Sequence, residues 1–434
     1  MTEMKEKQFG FDTRMVHAGQ IPDSQVGARA APIYQTTSFV FYDTDHAADL
    51  FDLKTYGHIY SRISNPTVSV LEERVASLEG ATGAVAAASG MAAQLAVFLT
   101  LLEPGDEIVS SAHLYGGTMT QMVYTLPKMG IKATFVKPGD ISAWERAIGP
   151  KTRALYGETI GNPQGSILDF DRLSQLAQAH GIPLIIDNTL ATPYLCRPME
   201  FGATIVVHSA TKFLGGHGNS LGGVLLDSGA FDFSHFPSLA EPSPQYHNLR
   251  FLETFGHFAF LTKARAATLR DTGACLSPMN AFLLLQGVET LSLRMERHVK
   301  NALGVATFLK DHSRVQWVSY AGLPDHPDHE LAQKYLPGGP GAVLSFGLKK
   351  QAGEDVRETG KRFIEKLKLF SHLANIGDVR SLVIHPASTT HRQLSDDELR
   401  ESGVGPELIR LSVGIENLED LLWDLDQALC LQSG

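Results

Sequence analysis

Four residues near the middle of the chain carry side chains that complement one another: Asp187, Ser209, Thr211 and Lys212. A lysine amine condenses with an aldehyde, a carboxylate pairs with a protonated pyridine nitrogen, and hydroxyls donate to a phosphate. One cofactor bearing those three groups would engage all four residues. Asp187 closes the apolar run IPLIID, and the other three follow the next run in TIVVHSATK, so all lie where short apolar strands end. A single lysine is usually a solvated charge, and an aspartate after a strand more often caps a helix. Lys212, however, sits between VVH and FLGG, where burial without a partner or a neutralising reaction is costly. Imine formation gives that amine a role.

A second element is Ala88-Ser89-Gly90-Met91, where a strand of small residues turns into the helical run MAAQLAVFLTLL. Backbone N–H groups at such a helix start bind phosphate, and Gly90 lets the backbone come close; a tight turn between strand and helix explains the same residues. Tyr115, just after EIVSS, offers an aromatic face to a cofactor ring, or a core tyrosine. Other signals point to structure. His326 and His329 in PDHPDHE lack helical metal-ligand spacing and read as a solvated loop. GGHGNSLGG at 215–223 follows neither the dinucleotide nor the P-loop pattern and reads as close backbone packing, and His208 reads as a core histidine.

These residues need a scaffold, and 81–227 supplies one. Apolar runs at 83–88, 107–110, 131–136, 153–156, 182–186, 204–207 and 223–226 alternate with helical patterns such as 170–180, the signature of a mostly parallel sheet with ligands beyond the carboxyl ends of its strands. The first 60 residues are weakly periodic and read as an extended arm. Residues 231–260, rich in Phe, His, Pro and Ser, read as a long loop insertion. A long helical pattern over 290–311, then AVLSFGL at 342–348 and LIRLSVGI at 408–415, indicate a smaller α/β domain. The expected division is 1–61 as arm, 62–275 as cofactor-binding domain and 276–434 as C-terminal domain.

With 434 residues, 43% hydrophobic and 19% charged, the chain is large enough for two or three packed units and has the composition of a compact enzyme. A net charge of −10 argues against nucleic acid or an anionic membrane as partner. Cys196, Cys275 and Cys430 are far apart with no C-x-x-C pair, which argues against a disulfide framework or a thiolate metal site. No stretch is apolar enough to span a bilayer and the first fifteen residues lack a signal-like apolar core. The expected location is a reducing cytoplasm.

The motifs YSRISNPT (60–67), ASGMAA (88–93), HLYGGT (113–118), ETIGNP (158–163), IDNT (186–189), HSATKFLGGHGN (208–219) and RLSVGIE (410–416) are quoted in chain order. Through them the chain resembles the cysteine and methionine metabolism group of fold-type I pyridoxal-phosphate enzymes over nearly its whole length. The resemblance implies an α/β fold with helices on both faces of the central sheet, and pyridoxal 5'-phosphate held as a Schiff base on Lys212. It implies Asp187 as partner of the pyridinium, Tyr115 as the stacking ring and a possible aid to proton transfer, and Asn162 as a contact to the ring hydroxyl. Phosphate contacts are implied for Gly90, Met91, Ser209, Thr211, Tyr60 and Arg62, the last two reaching in from a neighbouring subunit of a dimer commonly paired into a tetramer. Arg410, helped by Ser381, is implied to fork onto the substrate α-carboxylate; a structural ion pair of Arg410 with Glu416 is the competing reading.

Within the group, 275–298 (CLSPMNAFLLLQGVETLSLRMERH) and 375–394 (NIGDVRSLVIHPASTTHRQL) are similar to the sulfhydrylase branch, which uses O-acetyl-L-homoserine and sulfide to make L-homocysteine and acetate. Methionine γ-lyases carry a cysteine where this chain has Gly117. Cystathionine γ-synthase or lyase activity is the nearer alternative. A non-catalytic binding protein on the same scaffold would be expected to have lost Lys212, Asp187 or Arg410, and all three are present.

Overall fold

The computed structural model of the chain describes residues 7, 9–350, 355–389 and 404–430. Seven strands form one sheet: β1 (Gly83–Ala87), β2 (Glu107–Ser111), β3 (Lys132–Val136), β4 (Thr152–Glu158), β5 (Leu184–Asp187), β6 (Ile205–His208) and β7 (Gly223–Asp227). Their order is β1-β7-β6-β5-β4-β2-β3. Only β7 runs against its neighbours, and the other adjacent pairs are parallel. The sheet is therefore mostly parallel, as the alternating pattern requires. Each expected run is a strand, with ends moved by a few residues: β4 extends to Glu158, and β5 starts at Leu184 rather than at 182.

The apolar runs are continuous because both faces of the sheet are covered. Ala84, Ala86, Leu155, Ile186 and Val206 enter one apolar cluster, while Val85, Ala87, Ala154, Ile185 and Val207 enter the other. The Pro66–Glu79 helix lies on the first face. Its start is set by Asn65, whose side chain accepts from the Thr67 N–H, and by Pro66 in the first turn; Gly80, at φ 77°, ends it. The Gly90–Leu101 helix lies on the other face, capped by the Ser89 hydroxyl accepting from the Ala92 N–H at 3.1 Å.

A second sheet follows, with β8 (Val315–Ser319), β9 (Val343–Leu348), β10 (Ser371–His372), β11 (Leu382–Ile384) and β12 (Leu408–Ser412) in the order β10-β11-β12-β9-β8. The Leu291–Asp311 helix packs on β8 and on the Leu418–Leu429 helix. Its Arg294 reaches back to the first sheet, donating to the carbonyls of Phe213 (2.7 Å) and Leu214 (3.1 Å) just after Lys212. Ser345 on β9 donates to the Pro163 carbonyl at 2.8 Å. These two contacts tie the sheets together beside the strand ends.

Three expectations change. Residues 231–260 are not a plain loop: they hold short helical turns, among them Phe233–His235, Pro237–Ala240 and Phe251–Phe255. Phe233, Phe236, Leu239, Phe251 and Phe260 are buried in the second apolar cluster. Turns this short show no periodicity, and aromatic packing in place of a repeating face holds them. The arm is extended over much of its length but contains the Phe11–His17 and Thr44–Phe51 helices, and Val40 and Tyr42 are exposed. His326, in a turn, and His329, at the start of the His329–Tyr335 helix, are half-buried and bonded to Ser319 and to the Ala321 carbonyl respectively. Residues 1–6, 8 and 431–434, and 390–394 of the phrase at 375–394, lie outside the described residues.

Asp227, at the end of β7, is 1% exposed; one oxygen accepts from the Gly229 N–H and the other has no partner. Burial pushes its carboxyl up to about 7. The folded chain therefore binds more protons here than the unfolded chain between pH ~4 and about 7, so stability falls as pH rises through that window. Asp227→Asn removes the effect. Between pH 5 and pH 8 the variant is expected to gain about 2–3 kcal/mol on the parent, read from urea titrations at the two pH values; parallel losses in both proteins would contradict it.

Candidate active site

One cavity opens at the carboxyl edge of the first sheet, and the two sheets share its lining. Ser89, Gly90 and Met91 after β1, Tyr115 after β2, Glu158 and Asn162 at and beyond the end of β4, Asp187 at the end of β5, and Ser209, Thr211 and Lys212 after β6 come from the first sheet. Asn375 and Arg410 come from the second. Parallel strands place all their carboxyl ends on one side, which is why residues far apart in the chain meet there.

The Ser89–Gly90 turn is pressed against Ser209. A Cβ on Gly90 would lie 2.6 Å from the Ser209 Cβ and 2.8 Å from its Cα, so only glycine fits. The first N–H groups of the Gly90–Leu101 helix have no intrahelical acceptor and, with the Ser209 hydroxyl, form an anion cradle. Thr211 also lines the cavity, with its hydroxyl bonded to the backbone of Gly222.

Asp187 accepts from the Thr189 N–H at 2.9 Å, and the Thr189 hydroxyl accepts from the Ser209 N–H at 2.8 Å. Burial raises the Asp187 carboxyl, with the Thr189 hydrogen bonds opposing it. No cationic side chain among the described residues forms an ion pair with it. Glu158, 6% exposed, accepts from the Tyr115 N–H at 2.5 Å; burial, then the Asp187 charge, pushes its carboxyl well above the usual range. Both acids line the cavity; Asp187, held by the Thr189 N–H and facing no cation among the described residues, is suited to a protonated ring nitrogen.

Lys212 lies in the same cavity, its amine donating to the side-chain oxygen of Asn375. Burial and then the Arg410 charge lower its pKa, favouring the neutral amine that nucleophilic and basic chemistry requires. Burial brings the Arg410 guanidinium down to about 10. It donates to the Asn162 side chain and to the Asn375 carbonyl, both at 3.3 Å, and no carboxylate among the described residues pairs with it. The competing reading of Arg410 with Glu416 fails, because Glu416 is bonded to the N–H and hydroxyl of Ser381.

That pairing also corrects the expectation for Ser381. Its side chain is 0% exposed, donates to Glu416 at 2.9 Å, accepts from the Gly414 N–H at 2.8 Å and does not line the cavity. The residue beside Arg410 is Asn375. Tyr60 and Arg62 lie outside the cavity of their own chain; the Arg62 guanidinium sits over the Tyr60 ring, 5.5 Å from its centroid. His208 is a core residue, 3.5 Å from Glu79 with both side chains buried. Sequence reasoning missed Glu158, Thr189 and Asn375. An acid closing an apolar strand could have flagged Glu158, whereas nothing local distinguishes Asn375.

A mostly parallel α/β sheet whose strand ends present a buried amine, a buried carboxylate and an anion cradle defines a fold-type I pyridoxal 5'-phosphate enzyme. The chain belongs to the Cys/Met metabolism PLP-dependent enzymes, whose family model matches residues 12–430. It is 50% identical to the O-acetyl-L-homoserine sulfhydrylase of Leptospira meyeri, over 98% of each chain. It is 50% identical to the homocysteine synthase of Schizosaccharomyces pombe, over 96% of this chain and 98% of that one. Its fold matches a Campylobacter jejuni crystal structure that carries N'-pyridoxyl-lysine-5'-monophosphate, with a TM-score of 0.92 and 39% identity over 97% of this chain and 100% of that one. The cofactor of the present enzyme is pyridoxal 5'-phosphate, and the donor set around the cavity fits it.

Among the described residues Arg410 has no counter-ion to lose, so its removal should not unfold the protein. Arg410→Met is expected to leave the unfolding free energy within about 1 kcal/mol of the parent or to raise it, whereas breaking a buried ion pair costs about 3–5 kcal/mol. Thermal and urea unfolding of the two proteins decides between these outcomes.

Proposed function

We propose that the protein converts O-acetyl-L-homoserine and sulfide to L-homocysteine and acetate. The observation that carries this reading is the Arg410 guanidinium, without a carboxylate partner among the described residues and facing the cavity that holds the Lys212 amine. An amino acid whose carboxylate forks onto Arg410 would present its α-carbon to that amine. Two full-length relatives named for this substrate and this product support the assignment.

When bound, pyridoxal 5'-phosphate supplies an aldehyde for the Lys212 amine or the substrate amine and a pyridinium ring that withdraws electrons from the substrate carbons. Asp187 would keep the ring nitrogen protonated. Gly90 and Met91 would hold the phosphate through N–H groups, Ser209 and Thr211 through hydroxyls, and Asn162 would contact the ring hydroxyl. Tyr115 would stack on the ring. Lys212, freed by the substrate amine, would take the proton from Cα and hand it to the carbon derived from the cofactor's aldehyde, which leaves the amine neutral to take a proton from Cβ as acetate leaves Cγ with the C–O bonding pair. Hydrosulfide would bond to Cγ in its place, and Lys212 would return a proton to Cβ and then move the other back to Cα.

In this reading residues 62–275 bind the cofactor, and residues 276–434 bring Arg410 to it. The enzyme works in the cytoplasm as a homo-oligomer, a dimer or a pair of dimers, in which Tyr60 and Arg62 reach a neighbouring subunit's phosphate. The exposed apolar residues Val40, Tyr42 and Tyr56 of the arm suit such an assembly.

Purified enzyme is expected to consume O-acetyl-L-homoserine with release of homocysteine when sulfide is present; 2-oxobutyrate and methanethiol from methionine as the dominant activity would assign it to the γ-lyases instead. Lys212→Ala is expected to lose the visible absorbance of the lysine-bound cofactor and at least about 10³-fold in turnover. Arg410→Lys should raise the KM for O-acetyl-L-homoserine by roughly 10- to 100-fold, because one point charge replaces a bidentate fork, and should leave the sulfide KM nearly unchanged.

A further inference from the structure

The segment 374–379 of the second sheet's domain touches Lys212, and its fit is close. Gly377 adopts φ 75°, and a Cβ there would lie 2.7 Å from the Phe213 nitrogen and 3.0 Å from the Lys212 carbonyl carbon and Cβ. A side chain at this position would push the segment off the lysine. The Gly377 N–H donates to the Ser412 hydroxyl on β12 at 2.9 Å, and the Val379 N–H donates to the Gly216 carbonyl at 2.8 Å. The segment is thus stitched on one side to the strand that carries Arg410 and on the other to the turn that carries Lys212.

Asn375 stands at the point of contact and uses both of its oxygens. The side-chain oxygen accepts from the Lys212 amine, and the main-chain oxygen accepts from the Arg410 guanidinium at 3.3 Å. We propose that Asn375 is a positioning residue for Lys212: its amide oxygen receives the lysine amine whenever that amine is free, and holds it in register with the guanidinium that takes the substrate carboxylate. This rests on the function proposed above for the site. The amide is suited to the task because it accepts a hydrogen bond without carrying a charge. A carboxylate in its place would pair with Arg410 or hold Lys212 as a fixed ammonium, and either would compete with the substrate.

Two consequences separate this role from simple packing. An acceptor on the amine favours its ammonium form, so losing the acceptor lowers the amine's pKa. The Arg410 contact is made by the main chain and survives a side-chain change, so substrate affinity should be spared while turnover falls. Lys212 shares the cavity with Arg410, Asp187, Glu158 and Tyr115, and all four are unaltered by a change at position 375.

The test uses Asn375→Ala and Asn375→Ser in the full-length chain, with melting curves to confirm that both fold. The first readout is the pH dependence of pyridoxal 5'-phosphate uptake by the cofactor-free protein, followed by visible absorbance. In Asn375→Ala the midpoint of the rate against pH should fall by roughly one unit, and in Asn375→Ser, which keeps an oxygen, it should return at least halfway. The second is steady-state turnover of the holoenzyme: kcat lower by roughly 10- to 100-fold in Asn375→Ala, KM for O-acetyl-L-homoserine within about threefold, and partial recovery of kcat in Asn375→Ser. An unchanged midpoint in Asn375→Ala, or equal losses in Ala and Ser, overturns the proposal. Should the parent enzyme not turn over O-acetyl-L-homoserine, the functional reading fails, and the uptake midpoints still decide the role of Asn375.

Discussion

The site is organised around two charges of opposite sign that share a cavity without neutralising each other. Asp187 and Arg410 both line it, neither has an ion-pair partner among the described residues, and burial works against the charged form of each. Left to themselves they would gain by pairing, and that contact would close the site to any ligand with a positive ring and a negative carboxylate. They are kept apart because each is rooted in a different sheet and each is held by neutral donors or acceptors. Thr189 holds Asp187, while Asn162 and the Asn375 carbonyl hold Arg410. Folding bears the desolvation cost, and the bound ligand relieves it.

Holding the charges apart requires a rigid junction between the two sheets, and neutral hydrogen bonds supply it. Arg294 is the clearest case. Buried and brought down to about 10 by desolvation, it donates to the carbonyls of Phe213, Leu214 and Gly287 and pairs with no acid among the described residues. A guanidinium that satisfies several carbonyls fixes the chain beside Lys212 without setting a negative charge near the amine. Ser345 to the Pro163 carbonyl and the Val379 N–H to the Gly216 carbonyl do the same work on a smaller scale. An acid at any of these junctions would perturb Lys212, and Glu158, which lines the cavity, is pushed towards its neutral form.

Beneath this layer the first sheet is conventional in its energetics. Alternate strand residues feed two apolar clusters, so the strands are held from both faces and their carboxyl ends are fixed in position. Beside Asp187 the buried Thr159 hydroxyl donates to the Asn188 side chain, which donates to Glu79 at the end of the Pro66–Glu79 helix, with His208 close to Glu79. The aromatic turns after β7 cover the second face together with the Gly90–Leu101 helix.

The sequence by itself determined the sheet, its mostly parallel direction and the strand ends that carry Ser89, Gly90, Tyr115, Asp187, Ser209 and Lys212. Apolar runs and helical periods are local properties, and a parallel sheet gathers its strand ends without further information. Tertiary structure decided the rest. Ser381 and Asn375 are six positions apart on neighbouring stretches of one segment, and no local pattern says which faces the cavity; Glu416 takes the first, which leaves the second for Lys212. Whether Arg410 is paired depends on the same choice. Such assignments follow from how distant stretches of chain meet: Ser381 and Glu416 are 35 positions apart, Lys212 and Asn375 163, and Asn162 and Arg410 248, all beyond the reach of any local rule.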